Sequence, residues 1–230
     1  MPLYFAIYTA LSNKDTYWWP LSREVPLHYA QSILPAVIFG YVVPTLGMFW
    51  KWSNPLVAQG FTAFWQPSPA YVQVLIVLLA YSYQYIRPVA AHQYRKAHAE
   101  LPDMRYLKQV YAITFFLGLI LHVAVVFGLL LTSDPHLSLS SVFKPDWSAV
   151  EQTPGEGLRN LWLADFYGFF LASTIWTISA VWDIKRVGRT TVNVYNAAAG
   201  ILLANILVGP GATMSGVWYW REIAMAVTEP

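Results

Sequence analysis

The chain has no cysteine and few charges. Without cysteine, disulfides, thiolate catalysis and Cys-ligated zinc or iron–sulfur centres are excluded. Charged residues make up 11% of the 230, against about 25% in ordinary globular domains. Hydrophobic residues reach 57%, and mean hydropathy is +0.42. Such a balance belongs to an integral membrane protein. Net charge is only +2, so no nucleic-acid partner is indicated.

Other absences narrow the chemistry. No lysine lies in the middle of an apolar run, so a retinal Schiff base is not supported. His92 and His98 are six apart at the edge of an apolar run, which is not the paired spacing of membrane di-iron enzymes. The aspartate-rich DDxxD and NSE-type boxes that bind Mg-diphosphate are missing. No metal or other cofactor is therefore expected.

What is present is a series of apolar segments. Five are clear, at 28–52, 70–92, 107–132, 159–183 and 193–209, and weaker ones lie at 1–12 and 213–228. A ~30 Å hydrocarbon core needs about 20 helical residues. The pattern predicts one all-α domain over 1–230, a polytopic bundle of about seven transmembrane helices. The first run has no basic residue before it, and Lys14 follows it, so it reads as a membrane segment and not as a cleaved signal. Aromatics reach 17%, which fits interfacial belts or an aromatic pocket.

The loops support this count. Loops 13–27, 87–108 and 184–192 carry Lys14, Arg23, Arg87, Arg95, Lys96, Arg105, Lys108, Lys185, Arg186 and Arg189. The alternate loops carry only Lys51, Lys144 and Arg159. By the positive-inside rule the basic loops are cytosolic, the N-terminus lumenal and the C-terminus cytosolic. The longest connection, SDPHLSLSSVFKPDWSAVEQTPGEG, reads as an ordinary loop, with a lumenal lid as the alternative.

Acids inside apolar helices are the chemically informative residues. In DFYGFFLASTIWTISAVWDIKR, Asp165, Phe169, Ala172, Trp176, Ser179 and Asp183 share one face. Asp183 precedes Lys185 and Arg186, and reads as a solvated boundary residue. Asp165 is expected some two turns inside the opposite end. Glu222 lies about nine residues into the last helix, on a face with Trp218 and Tyr219, and Arg221 is expected to point elsewhere. Counting inward from the lumenal ends, Asp165, Glu222, His122 and Asn205 are expected to form one polar layer. The bland reading is interhelical hydrogen bonding. The sharper one is proton-initiated chemistry: a carboxyl shielded from water keeps its proton at neutral pH, aromatic faces stabilise a cation, and a dry cavity protects it.

Three stretches carry a family resemblance. QSILPAVIFGYVVPTLGMFW (31–50), DFYGF (165–169) and WDIKRVG (182–188) resemble the integral-membrane terpene cyclases of fungal meroterpenoid pathways, nearest the macrophorin and ascochlorin branch. The resemblance is strongest over 1–50 and 160–225. It implies a metal-independent cyclase of the endoplasmic reticulum membrane. Its substrate would be a farnesylated aromatic or quinol-like polyketide, protonated at an epoxide or at the terminal olefin. It also implies two catalytic acids, for which Asp165 and Glu222 are the candidates by depth. His122 or Asn205 would orient the acid or take the final proton, and Trp176, Trp218, Tyr219 and Tyr41 would face the cation. Two alternatives stay open: a sterol-isomerase-like enzyme of the emopamil-binding type, and a non-catalytic lipid or sterol binder or transporter, whose kinked helices Pro35, Pro44 and Pro88 would supply.

Overall fold

A computed structural model of the chain describes residues 25–86, 102–134, 137–146 and 154–226, together with Ile7 and Leu11. The expected first helix (apart from those two residues), the basic stretch 87–101 with His92 and His98, and the end of the last helix lie outside the described residues. All regular elements described are helical. They are α1 (Leu27–Val37), a π turn (Ile38–Val42), α2 (Val43–Phe49), α3 (Pro55–Trp65), α4 (Ser68–Ile86), α5 (Met104–Leu131), α6 (Leu139–Phe143), α7 (Pro154–Arg186), α8 (Val194–Leu207) and α9 (Pro210–Ala226).

Four stretches are long and apolar enough to cross a membrane: Leu27–Phe49, Ser68–Ile86, Met104–Leu131 and Gly155–Arg186. Their large apolar side chains face outward. Phe116, Ile120, Leu121, Phe127 and Leu131 are all exposed on α5. Water would penalise a continuous apolar exterior of this kind, whereas lipid solvates it. The architecture is a helical membrane bundle.

The helix ends differ from expectation for local reasons. The chain turns extended at Trp50, which ends α2 at Phe49 and not at position 52. Pro210 suits a first helical turn, so α9 starts three residues early. The described α7 runs Pro154–Arg186, 33 residues or about 50 Å. Two short helices, α3 and α6, form inside segments read as loops. Asn54 and Ser138 cap them, accepting from Leu56 N and Ser141 N.

The chain divides into two compact units, Pro20–Val110 and Tyr111–Pro230 with Met1–Trp19. In the first, Pro44 removes one helical N–H, and the π turn directly precedes it. The Tyr71 hydroxyl of α4 donates to the Gly40 carbonyl at 2.7 Å. Gly40 permits this approach, because a Cβ there would overlap the Val72 side chain. The Trp52 indole donates to Gly47 O at 2.6 Å and stacks on Phe61. The fully buried Asp103 precedes α5 and accepts from Val25 N at 3.0 Å.

The second unit is held in register by side-chain contacts. Helix α5 runs antiparallel to α9, with Phe115 against Gly216, Gly118 against Ala212 and His122 against Gly209. Helices α7 and α8 are antiparallel, and Asn205 Nδ2 donates to Thr174 Oγ1 at 2.7 Å. Helices α7 and α9 are parallel, with Trp176 and Trp218 in contact. The α6 segment is tied to the start of α7. Arg159 donates to Ser141 O and Lys144 O, Asn160 pairs with the Asp146 backbone, and Tyr167 donates to Phe143 O.

Candidate functional site

Among the described residues, the densest group of buried charges lies where the C-terminal halves of α7 and α9 meet. Trp218 and Glu222 are one turn apart on α9 and share a face. Glu222 is 7% exposed. Arg221 Nη1 donates to Glu222 Oε1 at 3.1 Å, and its guanidinium lies 4.7 Å from the centre of the Trp218 ring. Across on α7, Asp183 is 3% exposed and accepts from Arg186 at 3.0 Å. The Arg221 charge also reaches Asp183, and Tyr111 of α5 feels both Glu222 and Arg221. Buried ions are tolerable only when paired and hydrogen-bonded, and here two carboxylates face two guanidinium groups.

Aromatic rings close the group on one side. Trp176 meets Trp218 edge to face at 5.2 Å. On the opposite face of α9, about 170° round the helix from Trp218 and Glu222, lies an apolar cavity of about 360 Å³. Phe115, Val181, Ile201, Gly216, Val217 and Trp220 are among its walls. Its volume falls in the range of small-molecule sites, roughly 300–1,000 Å³. Gly200 and Gly216 keep it open by carrying no side chain.

The expected polar layer of Asp165, Glu222, His122 and Asn205 does not form. Asp165 is exposed on α7. It stands eleven residues before Trp176, while Glu222 stands four after Trp218, so the two acids are about 22 Å apart along parallel helices. The helical period assigned each acid a face, but the axial offset between α7 and α9 is set by packing. Twenty residues back from Asp183 along α7 is Leu163, which leaves Asp165 at the far boundary of a ~30 Å core. Asp183, read as solvated, is instead buried against Arg186. Arg221, read as pointing away, folds back onto Glu222.

The remaining candidates are accounted for individually. Asn205 is buried and spent on Thr174. His122 Nε2 lies 3.0 Å from Ile206 O, and its ring packs so closely on Gly209 that a Cβ there would sit 2.7 Å from it. Both are joints between helices, near the C-terminal end of α8. Trp176 and Trp218 belong to the site. Tyr219 is half-buried on the same helix. Tyr41 belongs to the other unit, where its carbonyl accepts from Thr45. Tyr111 was not singled out, since nothing in the sequence separates it from the other tyrosines.

These features define a class: a lipid-facing helical bundle with a buried, charge-paired and aromatic-walled centre. Within that class, the chain belongs to the CtvD domain family, whose model matches residues 1–226. It is 24% identical over 227 residues to FAD-dependent monooxygenase verC1 of Penicillium polonicum, covering 98% of this chain and 27% of that protein. FAD-dependent monooxygenase atnA of Arthrinium sp is 22% identical, with 98% and 27% covered. FAD-dependent monooxygenase BOA8 of Botryotinia fuckeliana is 23% identical, with 98% and 28% covered. The chain thus spans about a quarter of the length of these relatives. No solved structure matches it.

The relatives' names raise the question of flavin. A dinucleotide fold needs parallel strands and a glycine-rich turn opening a helix. The described residues contain no strand, and the positive-φ glycines, Gly188 and Gly209, lie in helix–helix connections. They do not fit FAD, and no flavin step is assigned to them.

Proposed function

We propose that this chain is a membrane cyclase of fungal secondary metabolism that opens an epoxide on a farnesylated, meroterpenoid-type substrate by proton transfer and closes rings through carbocations. The observation that carries this reading is Glu222, a buried carboxyl that accepts from Arg221, whose guanidinium lies over the Trp218 ring, on a helix whose opposite face lines an apolar cavity. The relatives favour the epoxide over the olefin as the proton acceptor. A flavin monooxygenase inserts oxygen into an olefin, and a stretch similar to this chain lies within proteins bearing that name. Oxidation followed by ring closure is a chemically consistent pair.

In this mechanism the Glu222 carboxylate, paired with Arg221 at rest, takes up a proton before turnover and gives it to the epoxide oxygen. The C–O bond breaks, an alkene π pair attacks the cationic carbon, and a new C–C bond forms. Loss of a proton ends the cascade and restores the acid, so the product is an isomer of the substrate. Arg221 stabilises the carboxylate left after proton transfer. An open face of Trp176 stabilises a passing cation by roughly 0.5–2 kcal/mol, whereas Arg221 already lies over the Trp218 ring. Asp165 lies too far along α7 to share this centre. The charge bias of the loops favours a bundle with the Asp183–Arg221 end toward the cytosol, in the endoplasmic reticulum membrane that the family resemblance implies.

The test is expression in a yeast host fed with farnesylated epoxides. A cyclised isomer of unchanged mass is expected, formed without added Mg²⁺ and in the presence of EDTA. Loss of turnover on chelation would refute the proton-initiated route.

A further inference from the structure

A pocket of about 690 Å³ lies where α7 turns into α8. Ile178, Trp182 and Lys185 of α7 are among its walls, with Asn193, Val194 and Tyr195 from the start of α8. Gly188, at a φ of +79°, ends α7 and lets the chain turn back on itself. Between Asp165 and Glu222 the chain holds a single acid, Asp183, against Lys185, Arg186, Arg189 and Arg221. That acid is bonded to Arg186, whose guanidinium also lies 5.4 Å from the centre of the Trp182 ring. Lys185 is exposed and meets no carboxylate among the described residues. Asn193 Oδ1 accepts from Tyr195 N and Asn196 N, which leaves its Nδ2 to donate elsewhere.

We propose that this pocket binds an anionic phospholipid, with the phosphate beside Lys185 and Asn193 and the first acyl carbons beside Ile178. The pocket is graded as such a molecule is. From Lys185 to Ile178 is about 10 Å along α7, at 1.5 Å per residue. A headgroup layer is roughly 5–8 Å deep on each side of the hydrocarbon core, so the pocket begins among headgroups and ends in hydrocarbon. Trp182 and Tyr195 are exposed at this level, as interfacial aromatic residues are. A free anion has no use for the apolar end, and a zwitterionic lipid brings an ammonium group to a wall that already has an excess of cations. Basic pockets between transmembrane helices recognise acidic headgroups, and the charge bias of the loops turns this end toward the cytosolic leaflet, where acidic lipids collect. The assignment concerns the turn between α7 and α8 and does not depend on the cyclase reading.

The experiment compares binding of dioleoyl phosphatidylserine and dioleoyl phosphatidylcholine to detergent-solubilised protein, with bound lipids counted by native mass spectrometry. Wild type is expected to bind phosphatidylserine roughly fivefold more tightly, the contribution of one basic residue near a membrane surface. Lys185→Gln is expected to bind the two lipids alike, and Lys185→Arg to keep the preference. Arg105→Gln removes a basic residue exposed at the start of α5, outside the pocket, and should also keep it. Equal affinity of wild type for the two lipids, binding of neither, a preference kept in Lys185→Gln, or one lost as fully in Arg105→Gln overturns the assignment. Displacement of bound phosphatidylserine by inorganic phosphate at constant ionic strength would mark a simple anion site and overturn it as well. The cyclase reading has a separate readout, since it fails only if no cyclised product forms.

Discussion

Trp176 and Trp218 meet edge to face at 5.2 Å between two parallel helices. That contact fixes the level of everything beyond it. One turn on, Glu222 comes level with the Asp183 end of α7, far from Asp165. Glu222→Gln is therefore expected to lower turnover by at least about a hundredfold, the ordinary worth of a positioned acid, with expression and folding kept. Asp165→Asn is expected to retain most activity. Product assays on membranes from each variant check this, and the reverse pattern would move the centre to the Asp165 end.

Arg221 has a structural duty as well as a chemical one. Its removal leaves Glu222 buried without its cation. Breaking a buried pair from one side costs about 3–5 kcal/mol. Arg221→Ala should thus melt well below wild type in detergent, while Arg221→Ala with Glu222→Ala should recover much of the loss. Thermal unfolding of both proteins measures the difference. Additive losses would mean that the 3.1 Å contact carries no coupling.

The Asn205–Thr174 hydrogen bond joins α7 to α8. Interhelical bonds of this kind contribute about 0.6–2 kcal/mol in membrane proteins. Asn205→Leu and Thr174→Val should each lower stability, and a double-mutant cycle should return a coupling of that size. A joint of this kind is also expected to leave the product pattern unaltered, which product analysis can check.

In the other unit, Tyr71→Phe removes the hydroxyl that serves the Gly40 carbonyl and should cost about 1 kcal/mol. Gly40→Ala should cost more, because the new methyl overlaps Val72 and forces α1 and α4 apart. A smaller loss for Gly40→Ala than for Tyr71→Phe would mean that the helix contact relaxes freely.

Much of this was legible without coordinates. Hydropathy gave the long helices, because length and apolarity alone decide whether a segment can lie in lipid. The ends were less legible, since they turn on single residues such as Pro210 or on the extended backbone at Trp50. Helices α3 and α6 were missed because their cap residues, Asn54 and Ser138, are also ordinary loop residues. The site was half legible. Glu222 and the two tryptophans stood out as an acid and aromatics on one helical face. Tyr111, Asp183 and Arg221 did not, because each has an unremarkable reading in its own segment.

The sequence by itself determined the solvent of this protein and the helical answer to it. With so few charges and so much apolar length, every backbone donor must be met within its own segment. It also determined which side chains share a face, since 3.6 residues per turn is a local property. Only the tertiary structure decided which acid meets which base. The sliding of one helix along another is fixed by side-chain contacts such as Trp176 on Trp218 and Phe115 on Gly216, and no local period encodes that offset.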